Sequence, residues 1–523
     1  MFNGTLKPYQ VEAVEKMVEK KKVLVAYEMG LGKTPMTIAA IEQLRGSGEI
    51  TKPVLVLCLA SLKYQWQKEI DKFSDSDSTV IDGTPSVRAK QYVDAPRHEY
   101  IIMNYEQVLR DWETIKLIEF SAVICDEATA IKGFRAKRAK KVKELSKNIP
   151  VRFALTGTPI ENGRPEEIFS IMQFVDPKIL GRFDIFDKTF IVRNHFGGVQ
   201  RYRNLPILNK TLMESTVRKS QKDEDVSPYL PDAIYREPII VKLDKGSQRV
   251  YNTMADHLIT FLNEAKEMFG TSFSVAAHYG QSYQPDDPAT QMRGEIMSRI
   301  SAMRMLCSSP NVVMASYDRY EDSRGTEGSA YIHALDDLLN GLSKTPKMDV
   351  AISYLSEHLD IDDSYKAVVF ASYLDSVSEL VDRLNAKGYG AVSYTGEMNA
   401  VKKEDAKVKF QTRSHVRVLV SSDAGGYGVD LPQANLLLNY DQPWSSGMLV
   451  QRNGRINRTS SEWTTITIQD IIIKDSIEER QFDVLRQKKD VASAILDGEN
   501  INSRGGVDLT VGSLLDFITA KLI

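Results

Sequence analysis

Cysteine is scarce in this chain of 523 residues: Cys58, Cys125 and Cys307 are the only three, far apart in sequence. They supply neither a disulfide framework nor a Cys-x-x-Cys zinc clip, and reduced thiols inside a cell are the state they suggest. The seven histidines are dispersed, with no pair at metal-ligand spacing. Long apolar runs are missing too. Stretches such as Val54 to Leu59 fall far short of the roughly 20 residues that cross a bilayer. Met1-Phe2-Asn3-Gly4-Thr5 lacks the basic-then-apolar order of a signal peptide. The expectation is a soluble, cytoplasmic chain with no membrane partner. An excess of one charge is also absent: 67 basic against 70 acidic residues leave a net charge of −3. That excludes a globally basic coat and confines any polyanion site to a local patch. What is present is ordinary globular composition, 42% hydrophobic and 26% charged, which excludes a disordered or fibrous chain. At roughly 150 residues per domain, the length predicts three or four domains or large lobes.

Two stretches alternate short apolar runs with helix-length segments. In the first, 23–26, 54–57, 101–103, 122–125 and 153–155 read as strands; in the second, 367–370, 418–420, 436–438 and 466–468 do. The runs are continuous rather than alternating, as in parallel strands covered on both faces. The class predicted is α/β, with two doubly wound parallel-sheet lobes. Between them, from about 176 to 345, helical periodicity dominates, and Gly270 to Pro288 is loop-like in composition. The expected division is 1–175 for lobe one, 176–345 for helical protrusions and linker, partly returning to lobe one, 346–490 for lobe two and 491–523 for a tail.

Three elements carry chemistry. Glu28-Met29-Gly30-Leu31-Gly32-Lys33-Thr34 follows the first strand and precedes a helical segment. A phosphate chain needs backbone N–H groups clear of side chains, a helix N-terminus, a lysine and a hydroxyl for magnesium. The strict pattern asks for glycine where this chain has Tyr27. Asp126-Glu127 closes the strand 122–125, at the sheet edge where ligands bind in open α/β folds; paired acids there also serve as a plain helix cap. One acid can hold magnesium while the other orients water. Third, Gln451-Arg452-Asn453-Gly454-Arg455-Ile456-Asn457-Arg458 places Gln451, Arg455 and Arg458 on one face if it is helical. Two guanidiniums aimed together suit a phosphoryl group gaining charge.

These pieces, in this order, resemble the superfamily-two helicase motors and, within them, the Swi/Snf-type ATPases, from Leu6 to about Glu479. Leu6-Lys7-Pro8-Tyr9-Gln10 is similar to the family's adenine-reading start, with Gln10 in the base-contacting position. Ala26 to Thr34 is similar to its nucleotide loop, with Tyr27 where an acid is usual. Val54 to Phe73, with Trp66, and Ile102 to Asp111, with Tyr105, resemble segments that touch a DNA strand. Asp126-Glu127-Ala128-Thr129 resembles the DEAH-like box, with Thr129 for histidine and Gly133 for asparagine. Leu155 to Asn162 resembles the coupling motif and Val217-Arg218-Lys219-Ser220 a basic element. Ser422 to Leu431 resembles the fifth motif, with Asp430 where asparagine is usual; Pro443-Trp444 departs from the common Trp-Asn-Pro. Gln451 to Arg458 resembles the arginine-finger helix and Ile477-Glu478-Glu479 its trailer.

The resemblance implies two RecA-like lobes with helical protrusions between them, and ATP and Mg2+ as cofactors. It assigns nucleotide binding to Gln10, Met29, Gly30, Leu31, Gly32, Lys33, Thr34 and Gln451, the metal to Thr34 and Asp126, and catalysis to Lys33, Asp126, Glu127, Arg455 and Arg458. ATP would be held from lobe one and completed by the two arginines of lobe two.

Lys132, Arg135, Lys137, Arg138, Lys140, Lys141, Lys143 and Lys147 crowd one segment, with Ala139, Val142 and Leu145 free to pack inward. In a slightly acidic chain this basic island is a local anomaly suited to duplex phosphates. Candidate DNA contacts are Trp66, Tyr105, Lys132, Arg135, Lys137, Ser422 and Trp444. No base-reading, chromatin-reader or nuclease segment is visible, so the expected track is the backbone of double-stranded DNA. Single-stranded DNA, RNA and a protein partner stay open, as does true strand separation; a non-hydrolysing scaffold is the reading from another class. The stripped core hints at a bacterial or viral source.

Overall fold

The computed structural model describes residues 1–193, 199–275, 286–340, 342, 344–423, 425, 429–498 and 511–522. It divides into two compact units. The first comprises Met1–Ile191, Tyr202–Leu230 and Lys489–Asn502, and the second Val192–Arg201, Pro231–Lys488 and Ser503–Ile523.

The first unit is built on β1 (Lys22–Tyr27), β2 (Val54–Cys58), β3 (Ser78–Val80), β4 (Tyr100–Asn104), β5 (Ala122–Asp126) and β6 (Val151–Leu155). Two short strands, β7 (Ile191–Arg193) and β8 (Val199–Tyr202), pair with each other and lie mostly in the second unit, and β9 (Thr216–Lys219) rejoins the main sheet of the first. The order is β3-β4-β2-β5-β6-β1-β9, with every neighbour parallel. All five expected strands are present. β3 and β9 escaped the sequence reading because each is only three or four residues long and not continuously apolar. The register fixes the functional edge. Leu155 of β6 lies opposite Val25 of β1 on one side and Asp126 of β5 on the other. With strands about 4.8 Å apart, the ends of β1 and β5 are therefore roughly 10 Å from each other.

The second unit holds β10 (Asp232–Tyr235), β11 (Ile239–Val241), β12 (Ala367–Phe370), β13 (Ala391–Tyr394), β14 (Val418–Ser421), β15 (Leu436–Asn439) and β16 (Thr465–Ile473). Its order is β10-β16-β15-β12-β14-β13, with β11 on the same long β16, again all parallel. Alternate residues serve opposite faces: Val368 and Phe370 pack in one core and Ala367 and Val369 in another.

The second of these cores also takes in helices of the 176–345 stretch. Leu258 and Leu262 of Lys245–Phe269, and Ile296 and Ile300 of Pro288–Ser308, share one apolar cluster with Val369, Val420 and Leu438 of the sheet. Towards the end of the chain, the described residues 489–498 belong to the first unit and the Val511–Leu522 helix to the second. Of the loop-like stretch Gly270 to Pro288, residues 276–285 lie outside the described residues. Among the described residues no helix is long and apolar enough to cross a membrane.

Candidate active site

In the first unit the turn after β1 is shaped by two left-handed glycines, Gly30 at φ +77° and Gly32 at φ +83°. Gly32 caps the helix Lys33–Gly46, which puts Lys33 at its first position and aims the helix N-terminus at the turn. The φ of Gly32 favours glycine, and a Cβ there would also push aside the Gln10 amide, 2.3 Å away at Nε2. Gln10 reaches the turn because Lys7 N donates to its Oε1 at 2.8 Å, leaving Nε2 to donate to Leu31 O at 3.0 Å. Tyr27, in the place of an acid, sends its hydroxyl to Tyr9 O at 2.9 Å and so ties the Gln10 helix to β1. Burial pushes the Tyr9 phenol up to about 12. Lys33 Nζ donates to Tyr27 O at 2.9 Å and Glu28 O at 3.2 Å.

Asp126 ends β5 inside the same unit. Its Oδ2 accepts the Trp66 indole N–H at 2.8 Å, and its backbone oxygen accepts the Tyr105 hydroxyl at 2.7 Å. Burial raises the Asp126 carboxyl above its ordinary value, while the Trp66 bond and the nearby Lys33 charge act against that rise. Glu127 follows at φ +48°, ψ +59°, a left-handed conformation rare for a side chain of this kind. It turns the backbone off the strand into the short Ala128–Ile131 helix. Such backbone strain, of order 1–3 kcal/mol, gathers at working sites.

In the second unit the expected single helix is interrupted. Helix Ser446–Asn453 stops at Gly454, so Gln451 is helical whereas Arg455 and Arg458 lie in the turns beyond it. The i, i+4, i+7 face does not form. Gly454, at φ −70° and ψ −1°, is a weak helix former at the position where the helix ends. Gln451 and Arg455 are buried, and Arg455 Nη1 donates to Val429 O at 3.4 Å. Arg458 pairs with Asp430, its Nη1 2.6 Å from Oδ1. Of the fifth motif, Ala424 and 426–428 lie outside the described residues.

Residues 9–304 match the SNF2-related domain, more than half of the chain, and residues 350–460 match the helicase conserved C-terminal domain. The chain belongs to the SNF2-related family. Among its relatives, an uncharacterized ATP-dependent helicase, YqhH, of Bacillus subtilis is 26% identical over 92% of this chain and 78% of its own length. The DNA repair and recombination protein RAD54B of Gallus gallus is 23% identical, over 94% of this chain and 55% of its own length. The putative ATP-dependent helicase/translocase YwqA of Bacillus subtilis is 23% identical, over 95% and 50%. The chain thus spans about half the length of the latter two. The helicase domain of Pyrococcus furiosus Hef shares the fold, with a TM-score of 0.52 at 18% identity over 91% of this chain and 97% of that one. The Sulfolobus solfataricus SWI2/SNF2 ATPase core in complex with dsDNA aligns over 95% and 94% at 23% identity, with a TM-score of 0.42. This SNF2-related chain is an ATP-hydrolysing enzyme.

The SNF2-related chain places its expected strand contacts unevenly. Trp66 and Tyr105 are buried, 2% and 1% exposed, with their polar ends spent on Asp126. They build the carboxylate site and present no face to a strand. Ser422 is also buried, its hydroxyl accepting from Gly396 N at 3.3 Å and Gly425 N at 3.2 Å. Lys132 turns inward: it pairs with Glu161 of the coupling motif and lies 3.6 Å from Glu167. Burial works against its charge, but the two carboxylates hold the ammonium above its ordinary value. Lys132 thereby links the Asp-Glu box to the coupling motif, a connection its position in the basic run conceals. Lys143 also points inward, to Ser170 Oγ at 3.1 Å and Gln173 Oε1 at 3.0 Å, with Ala139 and Val142 beneath and Leu145 half-buried. Arg135, Lys137, Lys140 and Lys147 remain exposed. Trp444 is exposed as well, with the Arg304 guanidinium 4.1 Å from its ring centroid.

Proposed function

We propose that this chain hydrolyses ATP with magnesium in a DNA-stimulated manner and tracks along double-stranded DNA in the cytoplasm. The observation that carries the reading is the division of labour. A lysine turn and an Asp-Glu pair stand on the carboxyl edge of one parallel sheet, and two arginines follow a helix on another. In this reading Lys33 neutralises charge on the β- and γ-phosphates, Gln10 reads the base, and Glu127 orients the attacking water. Arg455 and Arg458 stabilise the charge that develops on the transferred phosphoryl. Turnover then depends on both lobes, the property a motor needs.

The donors at the β1 and β5 edge suit magnesium: the Thr34 hydroxyl and a buried Asp126 carboxylate are hard oxygens, with no histidine or thiol in the set. Bound there, the ion would neutralise triphosphate charge. Trp66 fixes the rotamer of that carboxylate. Trp66→Phe is therefore expected to raise the magnesium concentration for half-maximal turnover roughly ten- to hundredfold. Metal-free nucleotide binding should stay unchanged; a metal titration of the variant that overlays wild type would remove Trp66 from this role.

Support for DNA comes from exposed Arg135, Lys137, Lys140 and Lys147 in a nearly neutral chain, and from a relative named for DNA repair and recombination. The deciding measurement is ATPase rate against double-stranded DNA, single-stranded DNA and RNA, beside triplex displacement and forked-duplex unwinding. The duplex should stimulate most, and the triplex strand should be displaced while the fork stays closed. Greatest stimulation by RNA, or an unwound fork, would replace the duplex-tracking reading.

A further inference from the structure

An acidic residue near the end of the Ser422 to Leu431 motif meets an arginine beyond the helix Ser446–Asn453. The Asp430 carboxylate takes Arg458 Nη1 at 2.6 Å, while Arg458 Nε donates to Gly454 O at 2.7 Å. The two segments are joined elsewhere as well. Arg452 Nε donates to Asp423 Oδ1 at 2.6 Å, Leu431 N donates to Arg455 O at 3.1 Å, and Arg455 Nη1 donates to Val429 O at 3.4 Å. The two ion pairs differ in depth. The Arg452 and Asp423 side chains are 2% and 23% exposed, whereas those of Arg458 and Asp430 are 13% and 42% exposed. The inner pair has the character of a fixed brace. The outer one can be exchanged, because a hydrated carboxylate gives up its partner at small cost.

An arginine that stabilises a phosphoryl group must bring its positive charge to it, and a carboxylate on the same guanidinium cancels that charge. Asparagine in this place would offer only a neutral acceptor. We propose that Asp430 is a positioning residue that restrains Arg458, holding DNA-free hydrolysis down until phosphate oxygens displace it. The inference rests on the part given to Arg458 above.

The test measures kcat and KM for ATP, with and without duplex DNA, in the full chain carrying Asp430→Asn, Asp430→Glu, Arg458→Ala, or Asp430→Asn with Arg458→Ala. Asp430→Asn should raise DNA-free kcat about two- to fivefold, the range set by a partly exposed pair, with KM and DNA-stimulated kcat little changed. Asp430→Glu should return DNA-free kcat towards wild type, and the gain should vanish in the Arg458→Ala background. A DNA-free kcat that is unchanged or lower in Asp430→Asn overturns the restraint, as does a gain that persists without Arg458. If Arg458→Ala alone turns over like wild type, the role of Arg458 itself has failed and the restraint falls with it. That outcome is distinct from an inert Asp430→Asn beside an impaired Arg458→Ala.

Discussion

Glu127→Gln is expected to bind ATP within a few-fold of wild type while turnover falls roughly a hundred- to ten-thousandfold, the usual contribution of a positioned acid–base group. Glutamine is nearly isosteric with glutamate, so the left-handed turn at φ +48° that carries residue 127 off β5 is kept. The glycine turn Gly30 to Lys33 follows β1, which β6 separates from β5, so the change leaves it intact. What is lost is the carboxylate that can orient water and accept its proton. Equilibrium binding of ATP beside single-turnover hydrolysis separates the two steps. A variant that binds normally and hydrolyses at near wild-type rate would take Glu127 out of the mechanism, and weakened binding with preserved chemistry would assign it to holding nucleotide.

Lys347→Met is expected to cost about 3–5 kcal/mol of stability, because it strands buried acids without their counter-charge. Lys347 Nζ lies 2.6 Å from Glu478 Oε1 and 3.3 Å from Asp441 Oδ1, with all three side chains 2–3% exposed. The carboxylates have further donors: Ser308 Oγ and Ser372 N reach Asp441 Oδ2 at 3.0 and 2.9 Å, and Ile473 N reaches Glu478 Oε2 at 3.1 Å. None of those carries a charge. Burial already raises the Glu478 carboxyl above its ordinary value, and the Lys347 ammonium counters that rise. Without it Glu478 binds a proton more readily when folded than when unfolded, so the variant should lose stability as pH rises. Denaturant midpoints across pH check both the size and the sign. A loss below 1 kcal/mol with no pH trend would mean the pair is not buried as described. The consequence reaches the candidate site, since this cluster joins the segment before Trp444 to the helix Ile477–Leu496.

Much of the architecture is legible in local sequence. Short uninterrupted runs such as Val54 to Leu57 and Leu436 to Leu438 mark strands covered on both faces, and both sheets are parallel as those runs predict. The Gly30-Leu31-Gly32-Lys33 turn is legible because its backbone angles require glycine at fixed spacing after a strand. Local sequence does not settle the matter where a side chain has more than one destination. Lys132 and Arg135 look alike in the basic run, yet one enters an ion cluster with Glu161 and Glu167 and the other is exposed. Spacing alone puts Gln451, Arg455 and Arg458 on one helix face, but the helix ends at the glycine between Gln451 and the two arginines.

The sequence by itself determined two parallel sheets, their approximate strands, and the positions of a glycine turn ahead of a helix and of an acidic pair at a strand end. These depend on periodicity and on the backbone freedom of glycine, which are properties of neighbouring residues. Only the tertiary structure decided which polar groups meet: Trp66 with Asp126, Lys132 with Glu161, Lys347 with Glu478, Arg458 with Asp430. Those partners lie 28 to 131 residues apart, 131 for Lys347 and Glu478. Which of them come together is set by the order in which strands lie side by side and by the need to satisfy each buried charge, and neither is written in any local stretch of chain.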